Sequence, residues 1–172
     1  MSATPLLHPM TTCTDPVALR VEGLHKHYGS VAAVRGVNFA IQVGEVLGLL
    51  GPNGAGKTTT IALIATQRRP SSGDAFVFGH SVRSDVVAVR RMVGVVPQEV
   101  SLYPELTAQE NLRFFGRMYA VPTEALHRRV DELLELVGLE TRRDDRVSTF
   151  SGGMKRRLNL AAGLIHQPRL VL

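Results

Sequence analysis

Nine residues, Gly51-Pro52-Asn53-Gly54-Ala55-Gly56-Lys57-Thr58-Thr59, restrict the folds open to this chain more than any other feature. They fill the pattern G-x-x-x-x-G-K-[ST] without a gap. The apolar run Val46-Leu47-Gly48-Leu49-Leu50 leads in, and a helix-compatible segment from Thr58 to Gln67 leads out. A turn this rich in glycine lets successive backbone N–H groups face inward with no Cβ in the way. Set between a strand and a helix, it also gains the positive end of the helix at the same point. That arrangement suits the phosphates of a nucleotide, with Gly51, Asn53, Gly54, Ala55, Gly56 and Thr59 along the cradle. Lys57 can reach the outer phosphates, and the Thr58 hydroxyl can complete a Mg²⁺ shell otherwise made of carboxylate and water. The pattern points to a nucleoside triphosphate but does not name a reaction.

A second motif narrows the class. Phe150-Ser151-Gly152-Gly153-Met154 is followed by Lys155-Arg156-Arg157-Leu158-Asn159-Leu160-Ala161-Ala162. Ser151 suits a helix N-cap, and Leu158, Ala161, Ala162 and Ile165 recur at helical spacing. Ser151, Gly152 and Gly153 then offer a hydroxyl and bare N–H groups at a helix N-terminus, a second device for binding phosphate. Taken alone, Ser-Gly-Gly is a loop before a capped helix. Beside the glycine-rich turn it reads as part of a nucleotide site.

Four features in this order resemble the nucleotide-binding domain of ATP-binding cassette (ABC) transporters. Tyr28, in His27-Tyr28-Gly29, stands where the family stacks adenine, and the glycine-rich loop comes next. Gln98 follows the run Met92-Val93-Gly94-Val95-Val96-Pro97, where the family has the glutamine that senses metal and attacking water. The fourth feature is the signature, normally L-S-G-G-Q, in which Phe150 here replaces Leu and Met154 replaces Gln. The likeness covers about residues 18 to 172, and the Phe-Ser-Gly-Gly-Met-Lys-Arg-Arg form is similar to the drug- and polysaccharide-export branch.

The resemblance implies a P-loop α/β core, ATP and Mg²⁺ as ligands, and Thr58 and Gln98 at the metal. It further implies a second cassette as partner, in a homo- or heterodimer, whose ATP is served by Ser151 to Gly153. Integral membrane permease subunits are also implied, and a place at the cytoplasmic face of the cell membrane. In the family, the strand that begins at Leu170 runs into an Asp for the metal and a Glu that acts as general base. The chain stops at Leu172 before either, so the cassette is expected to be C-terminally incomplete and catalytic carboxylates are absent from these residues. Expected of the chain on its own is ATP binding without turnover.

Composition agrees with one folded cassette. At 172 residues, with 44% apolar and 20% charged, the chain can bury a core. No stretch approaches the roughly 20 apolar residues needed to span a bilayer. Residues 1–16 lack a basic start and an apolar centre, so they are expected to be a disordered tail rather than a secretory signal. The single Cys13 lies in that tail and excludes a disulfide within the chain. A net charge of +5 is spread over several arginine pairs, with aromatics at only 5% and no basic–aromatic interleaving. Nucleic-acid binding is not supported.

Periodicity places the elements. Val17 to Glu22 and Val37 to Ile41 alternate as half-exposed strands do, and Ala75 to Phe78 is a further short strand. Val46 to Leu50 and Met92 to Val96 are continuous apolar runs, expected to be buried parallel strands. Thr107-Ala108-Gln109-Glu110 forms a capping box for a helix to about Tyr119. Pro122-Thr123-Glu124 opens another, with Leu126, Val130, Leu133, Leu134 and Val137 on one face and Gly138 as its stop. The reading is an α/β P-loop core with an N-terminal antiparallel β layer over 17–172, and a helical subdomain at about 99–165. Two alternatives stand beside the transporter subunit: a binding-only remnant without ATPase activity, and a soluble non-transport ABC protein. Proteins of the second kind carry paired cassettes, zinc modules or long charged linkers, and this chain shows none of these.

Overall fold

A computed structural model describes residues 17–172; the expected tail, with Cys13, lies outside the described residues. Two long strands, β1 (Val17–Tyr28) and β2 (Val31–Gln42), form a hairpin turning at Gly29 and Ser30. With β3 (Ser72–Val77) and β4 (His80–Ser81) they make an antiparallel sheet of order β2-β1-β3-β4. Leu19, Val21, Leu24, Ala75 and Val77 turn one face of this sheet inward onto Leu63 and Ile64 of α1 (Lys57–Ile64). The short helix α2 (Val86–Met92) contributes Val89 to the same core and leads into β5 (Val93–Gly94).

A second, parallel sheet joins β5 to β6 (Leu170–Val171). Its hydrogen bonding runs on past both strands, with Val96 N–H donating to the Leu172 carbonyl at 2.8 Å and Arg169 N–H to Met92 at 2.8 Å. Between β5 and β6 stand three helices, α3 (Ala108–Met118), α4 (Thr123–Leu136) and α5 (Gly152–Leu164), with a core of their own. Leu112, Val130, Leu133, Leu134, Leu158 and Ile165 fill it and are closed off from solvent.

Local chemistry explains where these helices start and stop. Thr107 Oγ1 accepts from the Glu110 N–H at 3.3 Å while Glu110 Oε2 accepts from the Thr107 N–H at 2.8 Å, so both halves of the capping box form. At the end of α4 the Gly138 and Leu139 N–H groups donate to Glu135 and Leu134, with Gly138 at φ +61°. That closes the helix on its own last carbonyls. The expected apolar face of α4 is the face it buries.

One expectation is overturned. Val46 to Leu50, read as a buried parallel strand, has no regular secondary structure and belongs to no sheet, with Val46 96% and Leu50 94% exposed. An apolar run becomes a strand only where a neighbouring strand accepts and donates its backbone hydrogen bonds. Among the described residues none lies beside it. Instead Leu47 and Leu49 border a cavity of about 690 Å³ whose other walls include Phe39, Ile61 and Leu170 to Leu172.

Candidate nucleotide site

The glycine loop is held against β2 rather than by the strand expected before it. Gly56 has φ +86°, and a Cβ there would lie 2.3 Å from the Ala33 carbonyl oxygen of β2. Only glycine satisfies both the left-handed backbone and that close approach. Gly51 (φ +150°) and Gly54 (φ +84°) bend the same loop, and a Cβ at Gly54 would meet open space. The loop is tied internally by the Ala55 N–H donating to Pro52 at 3.2 Å.

Gly56 is also the N-cap of α1, and no side chain caps this helix. The first intrahelical donor is the Thr60 N–H, which bonds to the Gly56 carbonyl at 2.8 Å. The amides of Lys57, Thr58 and Thr59 are therefore helix-end donors without an internal acceptor. Lys57 folds back over the loop, its Nζ donating to the Gly51 carbonyl at 2.7 Å and the Pro52 carbonyl at 2.8 Å. An ammonium, three free amides and a helix N-terminus thus share one end of α1, an arrangement that attracts multiply charged anions. Beside it lies an open cavity of about 460 Å³ lined by Ala32 to Arg35, Val37 and Pro52 to Ala55.

The other expected residues are spread over the parts of the fold built on the two cores. Tyr28 ends β1 at the hairpin, half exposed, with the Lys26 ammonium 5.1 Å from its ring centre; it does not line the cavity beside the loop. Gln98 is exposed on a bend after β5 and has no hydrogen-bond partner among the described residues. Ser151 caps α5, its Oγ accepting from the Met154 N–H at 3.3 Å, with Gly152 and Gly153 exposed on the first turn. Residues 51–59 and 151–153 share neither a hydrogen bond nor a cavity wall among the described residues. The departures in the signature have a visible basis: Phe150 is buried in the helical core and Met154 packs against it.

The donors fit the ligands that the motif implies. The glycine cradle is open on its outer side, the Thr58 side chain is exposed, and Gln98 offers a free amide oxygen. No group of three or more His, Cys, Asp or Glu able to hold a metal exists among the described residues. These residues suit a Mg²⁺ that arrives with phosphate and water, as Mg²⁺ usually does, rather than an all-protein cage. His166 belongs elsewhere. It stacks on Tyr119 with ring centres 3.7 Å apart and donates from Nε2 to the Val93 carbonyl at 3.0 Å. Burial holds its imidazole below the ordinary value of 6.5, against the opposing pull of that hydrogen bond.

The profile of the ABC transporter family matches residues 34–172. The chain belongs to this family. It is 46% identical over 154 residues to the linearmycin resistance ATP-binding protein LnrL of Bacillus subtilis, covering 90% of this chain and 50% of that protein. It is 42% identical over 158 residues to the doxorubicin resistance ATP-binding protein DrrA of Mycobacterium tuberculosis, covering 91% and 48%. Against the Nod factor export ATP-binding protein I of Ralstonia nicotianae it is 42% identical over 154 residues, covering 90% and 48%. The chain spans about half the length of these ABC relatives. Among solved structures, the ATP-binding subunit of an ABC transporter superposes with a TM-score of 0.79 at 31% identity, over 90% of this chain and 64% of that one. The Clostridium perfringens protein cbiO1, part of the ABC transporter complex cbiONQ, gives 0.80 at 28%, over 91% and 64%.

Two residues with long-range partners escaped the reading of the sequence. Asn159 is buried in α5, donating from Nδ2 to the Pro97 carbonyl at 3.1 Å and accepting at Oδ1 from the Ser101 N–H at 3.3 Å. Arg157, read only as part of a basic run, donates to the Val137 carbonyl at 2.6 Å and the Gly138 carbonyl at 3.3 Å, closing the end of α4. The Asn159 signal was available: an amide set among apolar positions of a buried helix face needs partners.

Proposed function

We propose that the chain is the ATP-binding part of an ABC exporter subunit, with Gly51 to Thr59 as its phosphate cradle and Mg²⁺ as the accompanying metal. The observation that carries this reading is the loop itself: Lys57 resting on two carbonyls above three free helix-end amides. Incoming phosphate oxygens exchange for those carbonyls, so the ammonium is already at the anion's position. Backbone amides fix the phosphates in place, and Tyr28 supplies a half-exposed ring for the base. Thr58 and Gln98 would hold Mg²⁺, which when bound screens phosphate charge. Phosphoryl transfer depends on such positioning and charge stabilisation.

Ser151 to Gly153 share no cavity wall with this cradle and serve the nucleotide of a second cassette. The names of the LnrL, DrrA and Nod-factor relatives support export as the direction of transport. That cbiO1 is part of the transporter complex cbiONQ supports membrane permease subunits as partners, and in this reading the helical lobe, about 99–165, is the part that docks on them. No helix among the described residues is long and apolar enough to cross a membrane. Peripheral attachment to the cytoplasmic face of the membrane follows from this reading, as does ATPase activity of the assembled transporter.

Displacement of a fluorescent ATP analogue tests it. Mg-ATP should compete the analogue off the chain, and Gly56→Ala, which drives a Cβ into β2, should abolish the competition. Equal competition by the variant would overturn the assignment of the cradle.

A further inference from the structure

The glutamine loop and the signature helix meet at one side chain. Asn159 sits eight residues beyond Ser151 on α5, about 12 Å along the helix axis. Its amide grips both ends of a short arc, with Nδ2 on the Pro97 carbonyl and Oδ1 on the Ser101 N–H. The residues between, Gln98, Glu99 and Val100, are exposed. Beyond Ser101 the loop is stapled a second time. Buried Asn111 of α3 accepts from the Tyr103 N–H at 2.8 Å and donates to the carbonyls of Tyr103 and Thr107, each at 3.0 Å. The arc that bears Gln98 therefore lies between these ties, and both its feet rest on α5.

We propose that Asn159 is a positioning residue that makes the Gln98 arc and the Ser151 end of α5 move as one body. The proposal rests on the roles given above to Gln98 and Ser151. A buried amide with both its hydrogen-bonding groups engaged is costly to release, since each freed group is left unpaired away from water. Displacement of Gln98 toward an incoming nucleotide therefore pulls on α5 rather than only bending the loop. Ser151, Gly152 and Gly153 at the far end of that helix shift with it. Occupancy of one cradle is thereby reported to the surface that serves the second cassette.

Residue-resolved amide exchange on the full chain tests this, at concentrations where ultracentrifugation shows it monomeric. Without nucleotide, the Ser101 amide should exchange slowly and those of Glu99 and Val100 fast. Asn159→Leu, close in volume and unable to hydrogen-bond, should speed Ser101 by about tenfold. With Mg-ATP, exchange in the wild type should change both at 97–101 and over 152–154. In Asn159→Leu it should change at 97–101 alone. Should that variant fail to fold, Asn159→Asp keeps the oxygen facing Ser101, removes the donor to Pro97, and should show the same loss of transmission. A Ser101 amide as fast as its neighbours in the wild type, or a variant that still transmits to 152–154, overturns the tie. A wild-type chain that binds no ATP sinks the nucleotide reading instead, and the tie is then decided by the nucleotide-free Ser101 comparison.

Discussion

Leu133 in α4 and Leu50 before the glycine loop are the same residue type in opposite situations. The first is fully buried at 0% and the second is 94% exposed. Around Leu133 three helices close a core from residues near one another in sequence, with local caps at the starts of α3 and α5 and at the end of α4. Around Leu50 the apolar run depends on a neighbouring strand from elsewhere in the chain, and none lies beside it among the described residues. Helix hydrogen bonds are internal to the segment, whereas those of a strand are owed to another segment. The helical lobe therefore closes its own core, while the glycine loop follows a lead-in segment that is open to solvent.

Truncation of the two leucines breaks or upholds this contrast most sharply. Leu133→Ala should cost about 2–5 kcal/mol in urea unfolding, the loss expected when a closed core gains a cavity. Leu50→Ala should stay within about 0.5 kcal/mol of wild type. Similar losses at both positions would mean that the run before the loop is packed after all.

The next contrast is inside the loop. Gly56→Ala meets both a left-handed backbone and the Ala33 carbonyl, whereas Gly54→Ala meets only the backbone strain. Strain of that kind costs on the order of 1–2 kcal/mol, so Gly54→Ala should lose about that much and Gly56→Ala clearly more, read from thermal melts. In the helical lobe, Thr107→Ala removes one half of the capping box and should cost about 0.5–2 kcal/mol.

Acidity gives the smallest effects. The Thr107 backbone N–H, and then its hydroxyl, hold the Glu110 carboxyl below its ordinary value of 4.5. A carboxylate lowered by folding stabilises the fold above that ordinary value, and the contribution is lost as pH falls through the folded value. Glu110→Gln should flatten the melting temperature over that acidic range. Burial pushes the His166 imidazole below its ordinary value of 6.5, so its contribution to the fold is present above 6.5 and stability should decline as pH drops below it. His166→Gln should remove that slope; an unchanged slope would place its origin in another group.

The same contrast decides what could be read in advance. The capping box at Thr107 and Glu110, the buried face of α4, its Gly138 stop and the Ser151 cap are all written within a few residues, and the structure has each of them. The glycine loop was legible for the same reason, since its turn and helix start are local. The state of Val46 to Leu50 was not, because apolar content marks a segment as suited to burial without naming a partner. The two-residue strand β4 and the seven-residue helix α2 are too short for periodicity to register. Asn159 was missed for a different reason: its partners, Pro97 and Ser101, stand some 60 residues away in sequence and come together only when the lobes pack.

Calorimetric titration of Mg-ATP into the wild-type chain, Lys57→Ala and Ser151→Ala tests the central claim most directly. The cradle at α1 should bind one ATP per chain. Charged hydrogen bonds from Lys57 contribute about 1.5–3 kcal/mol, so Lys57→Ala should weaken binding by roughly 10- to 100-fold. Ser151→Ala, on the other lobe, should leave the affinity of the monomeric chain unchanged. Equal affinity for the wild type and Lys57→Ala, or a loss confined to Ser151→Ala, would contradict the account.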